Sequence, residues 1–139
     1  MAAPAITDKV LSVLTRHNMD FVCLNFANAD MVGHTGVFEA AVRACEVVDQ
    51  CVKEIIEKSL THNYTTLIVA DHGNAEKMKD EQNNPYTAHT SYPVPCILVE
   101  KKIRGLLKYG KLADVAPTIL QCMGIPIPPE MTGNSLLIV

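Results

Sequence analysis

The chain has 139 residues, 48% of them hydrophobic and 19% charged, with a formal net charge of −3. That is enough apolar material for one domain with a real core, and too much for disorder. Lysine and arginine are scattered, which excludes the footprint of a nucleic-acid or anionic-membrane binder; apolar runs such as 67–70 and 96–99 are far too short to span a bilayer.

The opening residues, Met1 to Ala5, carry neither the basic nor the apolar region of a secretory signal. Ile6, Val10, Leu11, Val13 and Leu14 then recur at helical spacing, and Asn18 is suited to close that helix. Residues 21–26 (F-V-C-L-N-F) are a short apolar run, read as a buried strand. Residues 37–60 give the strongest helix signal. Val37, Ala40, Ala41, Ala44, Val47, Val48, Cys51, Val52, Ile55 and Ile56 form one stripe, with most charges outside it. Residues 64–70 and 94–99 read as two further strands, the last with Pro93 and Pro95 confining its start to an edge. Asp114 can cap a helix running to about Met123, with Pro117 in its first turn and Gly124 at its exit. The final stretch, from Ile125 to Val139, is Pro-rich and extended. Helices alternating with apolar strands predict an α/β layer with a largely parallel sheet flanked by helices.

The five cysteines, Cys23, Cys45, Cys51, Cys96 and Cys122, include no C-x-x-C pair and read as reduced packing residues of a cytoplasmic protein. His17 and His62 fall at predicted helix C-termini, where an exposed imidazole favours the dipole. The remaining three histidines lie in motifs of a different kind. Asp30 and His34 stand in N-A-D-M-V-G-H-T-G, Asp71 and His72 in V-A-D-H-G-N-A-E, and His89 in T-A-H-T. Three imidazoles and two carboxylates suit divalent metals such as manganese or zinc. Asp30 and His34 share one face if the chain is helical there; in a loop, Gly33 and Gly36 let the backbone bring them together. Asp71 and His72, being adjacent, reach one site only where the strand breaks, which Gly73 permits. Each motif alone also reads as a turn former. Together all three fall on loops at sheet ends, where open α/β sheets bind ligands.

These segments also resemble a known family. N-F-A-N-A-D-M-V-G-H-T-G, A-D-H-G-N-A-E-x-M, T-A-H-T-S-x-P-V-P, L-A-D-V-A-P-T-I-L and P-P-E-M-T-G-N-S-L, in that order, look like the cofactor-independent phosphoglycerate mutases of the alkaline phosphatase superfamily. The resemblance covers nearly the whole chain and places residues 1–139 in the C-terminal part of a metal-binding, phosphatase-like domain. It implies a cytoplasmic glycolytic isomerase with two divalent ions, usually manganese, with zinc, cobalt or magnesium as alternatives. Asp30, His34 and His89 would hold one ion, and Asp71 and His72 the other. A serine nucleophile would carry the phosphoryl group between the hydroxyls of phosphoglycerate. No residue here stands in that serine's motif: Ser12, Ser59, Ser91 and Ser135 do not match it. The nucleophile, a further metal ligand and the substrate-binding domain are expected in an upstream segment of the same enzyme, so this chain alone is expected to be inactive. The alternative is a non-catalytic metal-binding or interaction domain derived from such an enzyme.

Overall fold

Helix α1 (Ala3–Arg16) starts with proline in its first turn and ends in Arg16, whose charge complements the helix C-terminus. The computed structural model that shows this describes residues 2–102 and 105–138; Met1 and Val139, which end two of the segments read above, lie outside them. His17, one residue before the predicted Asn18, takes the left-handed conformation (φ 49°) that ends α1, and its N–H reaches the Leu14 carbonyl. Helix α2 (Asn28–Gly33) is a short turn, and helix α3 (Phe38–Thr61) follows the apolar stripe almost to the residue. The buried face of α3 is narrower than the stripe: Ala41, Ala44, Cys51, Ile55 and Ser59 are buried, while Val37 and Val47 are exposed. At the end of α3, the His62 ring lies 3.0 Å from the Lys58 carbonyl, a contact in which Nδ1–H donates to the last turn.

Helix α3 packs on both α1 and α2. Val10, Leu14 and Ile55 form the core, lined by Ile6, Leu11, Leu24, Phe26 and Tyr64. Burial of the apolar side chains contributes the favourable term. Residues 21–26 supply Leu24 and Phe26 to it but form no strand; the alternation of their burial, with Phe21, Cys23 and Asn25 outward, is that of an extended chain without a ladder. The predicted strand therefore becomes an extended segment: its inward side chains have a core to fill, and its backbone joins no ladder among the described residues.

Strand β1 (Thr66–Val69) pairs with β2 (Cys96–Val99), Thr66 opposite Val99 and Val69 opposite Cys96. Strands β3 (Leu106–Leu107) and β4 (Leu137–Ile138) form a second ladder. Both ladders are antiparallel, so the largely parallel sheet expected from the sequence is not seen among the described residues. The reason lies between β1 and β2. A parallel return needs a crossover, usually a helix; residues 70–95 instead fold as a helix-free excursion held by the bridges Gly73–Thr90 and Lys79–Pro85. Pro93 and Pro95 fall just before the β2 ladder.

Helix α4 (Val115–Met123) has Pro117 in its first turn and Gly124 (φ 70°) at its left-handed exit. Asp114 does not cap α4 through its side chain. Its buried carboxylate instead accepts the N–H groups of Lys111 at 2.9 Å and Asn134 at 2.8 Å, joining the 3-10 turn Leu112–Asp114 to the C-terminal segment. These bonds hold the Asp114 carboxyl below the usual carboxylate range, the Asn134 N–H first. Thr118, fully buried, receives the Leu136 N–H at 2.8 Å. The cysteines depart from the expected burial, since only Cys51 is buried and Cys23 and Cys45 are exposed. No helix among the described residues is long and apolar enough to cross a membrane.

Candidate metal centre

Residues 28–33 are helical, so Asp30 and His34, four apart, project from one face: His34 Nε2 lies 3.1 Å from Asp30 Oδ1. The excursion between β1 and β2 brings His89 to the same point. His89 Nε2 is 3.1 Å from Asp30 Oδ1 and 3.1 Å from His34 Nε2. Three donor atoms thus form a triangle, in which His34 and His89 meet across 55 residues of sequence separation.

The donor set of that triangle is one that could hold a cation. His34 Nδ1 lies 2.6 Å from the Thr87 carbonyl. A carbonyl only accepts, so Nδ1 carries a proton and Nε2 is the ring nitrogen turned to Asp30 and His89. A carboxylate oxygen and an imidazole nitrogen at 3.1 Å need positive charge between them, which a ring proton or a bound cation supplies. Donor atoms held about 2.0–2.2 Å from one divalent ion, at right-angled to tetrahedral spacing, are about 2.8–3.6 Å apart, and the three separations here fall inside that range. The residues fit a divalent metal.

The second predicted pair sits beside the first without completing a site of its own. His72 stacks on His89, ring centroids 3.7 Å apart, and its Nε2 is 4.0 Å from Asp30 Oδ1. Asp71 Oδ2 is 3.6 Å from His72 Nε2, and the Asp71 side chain is 74% exposed. Among the described residues only Asp30, His34 and His89 cluster closely enough to share an ion.

The supporting residues were not singled out from sequence. Asn74, buried, donates its amide to Asp30 Oδ1 at 3.2 Å. A Cβ at Gly33 would collide with that amide, which is why α2 ends in glycine. Gly73 is also explained by proximity: its φ is not positive, and a Cβ there would meet the Thr90 and Glu76 side chains. Glu76 accepts the Asn74 N–H at 2.7 Å and the Thr90 hydroxyl. The Thr90 bond is the main reason its carboxyl is held below the usual range. Asn74 and Glu76 lie within the D-H-G-N-A-E motif; nothing in their spacing announces these roles. His89 also lines a concavity of about 420 Å³ with Lys77, Tyr86, Thr90, Ser91 and Tyr92, so the triad is reachable from solvent.

Comparison with known proteins meets this geometry from the other side. A family model described as the metalloenzyme superfamily matches residues 1–127. The chain belongs to the metalloenzyme superfamily. Within it, the chain is 51% identical to the 2,3-bisphosphoglycerate-independent phosphoglycerate mutase of Flavobacterium johnsoniae, over 99% of this chain and 27% of that protein. It is 55% identical to the enzyme of the same name from Synechococcus sp. strain JA-3-3Ab, over 99% of this chain and 28% of that one. The crystal structure of Leishmania mexicana phosphoglycerate mutase at low cobalt concentration superposes with a TM-score of 0.90 at 30% identity, covering 100% of this chain and 28% of that one. The chain therefore spans a little over a quarter of the length of these relatives. Membership of a metalloenzyme superfamily and the Asp30–His34–His89 triad support divalent-metal binding by independent routes.

Proposed function

We propose that this chain is part of the metal centre of a cofactor-independent phosphoglycerate mutase, which interconverts 2- and 3-phosphoglycerate through a phosphoserine on a serine outside these residues. The observation that carries the reading is the triangle of Asp30 Oδ1, His34 Nε2 and His89 Nε2, 3.1 Å on each side. Its support is the similarity to named mutases over 99% of the chain. Asp30, His34 and His89 would hold one divalent ion, with manganese our first choice. Asp71 and His72 would contribute to a second, its other ligands lying in the remainder of the enzyme. When bound, such ions lower the pKa of the nucleophile and offset charge on the phosphoryl group in transfer. The chain's own residues do the positioning: the Thr87 carbonyl keeps the His34 Nδ1 proton in place, and Asn74 holds Asp30. In this reading the chain lies in the phosphatase-like domain of a cytoplasmic glycolytic enzyme. Residues 21–26 and the outer edge of β1 take sheet neighbours, parallel ones included, from the rest of that domain.

Calorimetric titration with manganese tests the assignment. Wild-type chain should bind one ion, and His34→Ala or His89→Ala should weaken it at least tenfold, about 1.4 kcal/mol. Equal affinity in all three proteins contradicts the ligand set. The three ligands of the first ion all come from this chain, which also supports a non-catalytic metal-binding module. Mutase assays separate the two. The chain alone should not convert 2-phosphoglycerate, because nothing in it positions the nucleophile or substrate; conversion lost in Asp71→Ala contradicts that.

A further inference from the structure

The loop carrying His72 and the loop carrying His89 are joined by one side chain. Glu76 Oε2 accepts the Asn74 N–H at 2.7 Å, and Glu76 Oε1 accepts the Thr90 hydroxyl. A backbone bond reinforces the join, Thr90 N–H to the Gly73 carbonyl at 2.8 Å. His72 immediately precedes Gly73 and His89 immediately precedes Thr90, so both ends of the backbone bond lie one residue from a candidate ligand, and the two ends of the side-chain clamp, Asn74 and Thr90, lie two residues and one. The same unit reaches the third motif, because Asn74 passes the constraint to Asp30 through its amide, 3.2 Å away. Glu76 touches no candidate ligand atom itself. Each of its oxygens serves a different loop, and the space it needs is kept open by the missing side chain at Gly73.

We infer that Glu76 is a positioning residue of the metal centre: it fixes the separation of the two histidine loops and so holds His89 in reach of Asp30 and His34. The inference deepens the metal reading above and rests on it for its consequence in metal affinity. Its structural part, the clamp between loops, stands on the hydrogen bonds alone. A two-acceptor clamp also predicts which substitution rescues it. A glutamine at this position can accept the Asn74 N–H with its carbonyl and donate its amide to Thr90, whose hydroxyl turns to accept. An alanine can do neither.

The test uses the full chain with Glu76→Ala and Glu76→Gln, in two arms. In the metal-free protein, hydrogen exchange at the Thr90 amide should speed up at least tenfold in Glu76→Ala, stay within about threefold in Glu76→Gln, and leave α1 and α3 amides unchanged. Calorimetry with manganese should show affinity lowered about tenfold in Glu76→Ala, the lower end of the range for direct partners of metal ligands because Glu76 acts one step further out, and within about threefold of wild type in Glu76→Gln. Unchanged Thr90 exchange in Glu76→Ala overturns the inference. So does a Glu76→Gln protein as impaired as Glu76→Ala, since charge rather than position would then be the cause. If the wild-type chain takes up no manganese, the metal reading falls, and the exchange arm still decides whether Glu76 clamps the loops.

Discussion

Asp30 is the residue on which the site converges: His34, His89, His72 and Asn74 all approach its Oδ1. Asp71 is its counterpart in the sequence pattern but is mostly exposed, with His72 as its neighbour at 3.6 Å. Asp30→Ala should therefore abolish manganese binding by the chain in calorimetry, while Asp71→Ala leaves the first ion's affinity within about threefold; the reverse order would assign the ion to the wrong motif. Gly33→Ala gives a second contrast. Alanine is the better helix former by about 1 kcal/mol, yet its Cβ would strike the Asn74 amide. The collision should win, destabilising the chain by about 1–3 kcal/mol in urea unfolding; a stabilised variant would mean that Asn74 is not packed there. The i, i+4 relation of Asp30 and His34 was legible in sequence, because a helical period alone makes them neighbours. Placing His89 against them was not, since 55 residues separate it from His34 and only the fold closes that distance. Spacing was equally silent on Asn74 and Glu76, whose contacts are across loops rather than along them.

At the scale of elements, periodicity carried α1 and α3, where one face meets a core and the pattern repeats over several turns, while α4 was legible from its end signals, Pro117 and Gly124. Leu14, 3% exposed, sits at the α1–α3 contact, and Leu14→Ala should destabilise the chain by about 2–5 kcal/mol in urea unfolding. A change under about 0.5 kcal/mol would mean that α1 does not dock as described. Pairing was much less legible. An apolar run such as 21–26 states that a segment is buried on one side, and nothing in it states which backbone lies alongside. The parallel sheet was inferred from helix–strand alternation, and the helix-free excursion between β1 and β2 broke that rule. The C-terminal strand β4 depends on Asp114, which bonds the Asn134 N–H just upstream of it. Its folded pKa lies below the ordinary value of 3.8, so its contribution is complete above that value and is lost as pH falls through the lowered folded pKa. Hydrogen exchange at Leu136 should accordingly stay flat down to about pH 4 and accelerate only below it, once intrinsic exchange is corrected. Asp114→Asn should show a flatter profile with faster exchange at neutral pH; identical profiles would remove Asp114 from the tether.

At the scale of the whole molecule, the chain is a little over a quarter of the length of its relatives, and its surface reads accordingly. Phe21, Met31, Phe38, Ile97 and Leu106 are each at least half exposed or nearly so. Residues 21–26 and β1 contain neither charge nor proline to protect an open edge. The purified chain should therefore self-associate, visible in light scattering as mass rising with concentration. A stable monomer with a cooperative melt at high temperature would instead favour a self-sufficient metal-binding module. Either outcome leaves the centre itself to be decided, and the central claim is that this chain brings three ligands to one ion. Diffraction from manganese-soaked crystals of the chain, recorded above and below the manganese absorption edge, tests it most directly. The account predicts an anomalous peak in contact with Asp30 Oδ1, His34 Nε2 and His89 Nε2 together; a peak elsewhere, or none at those three atoms, contradicts it.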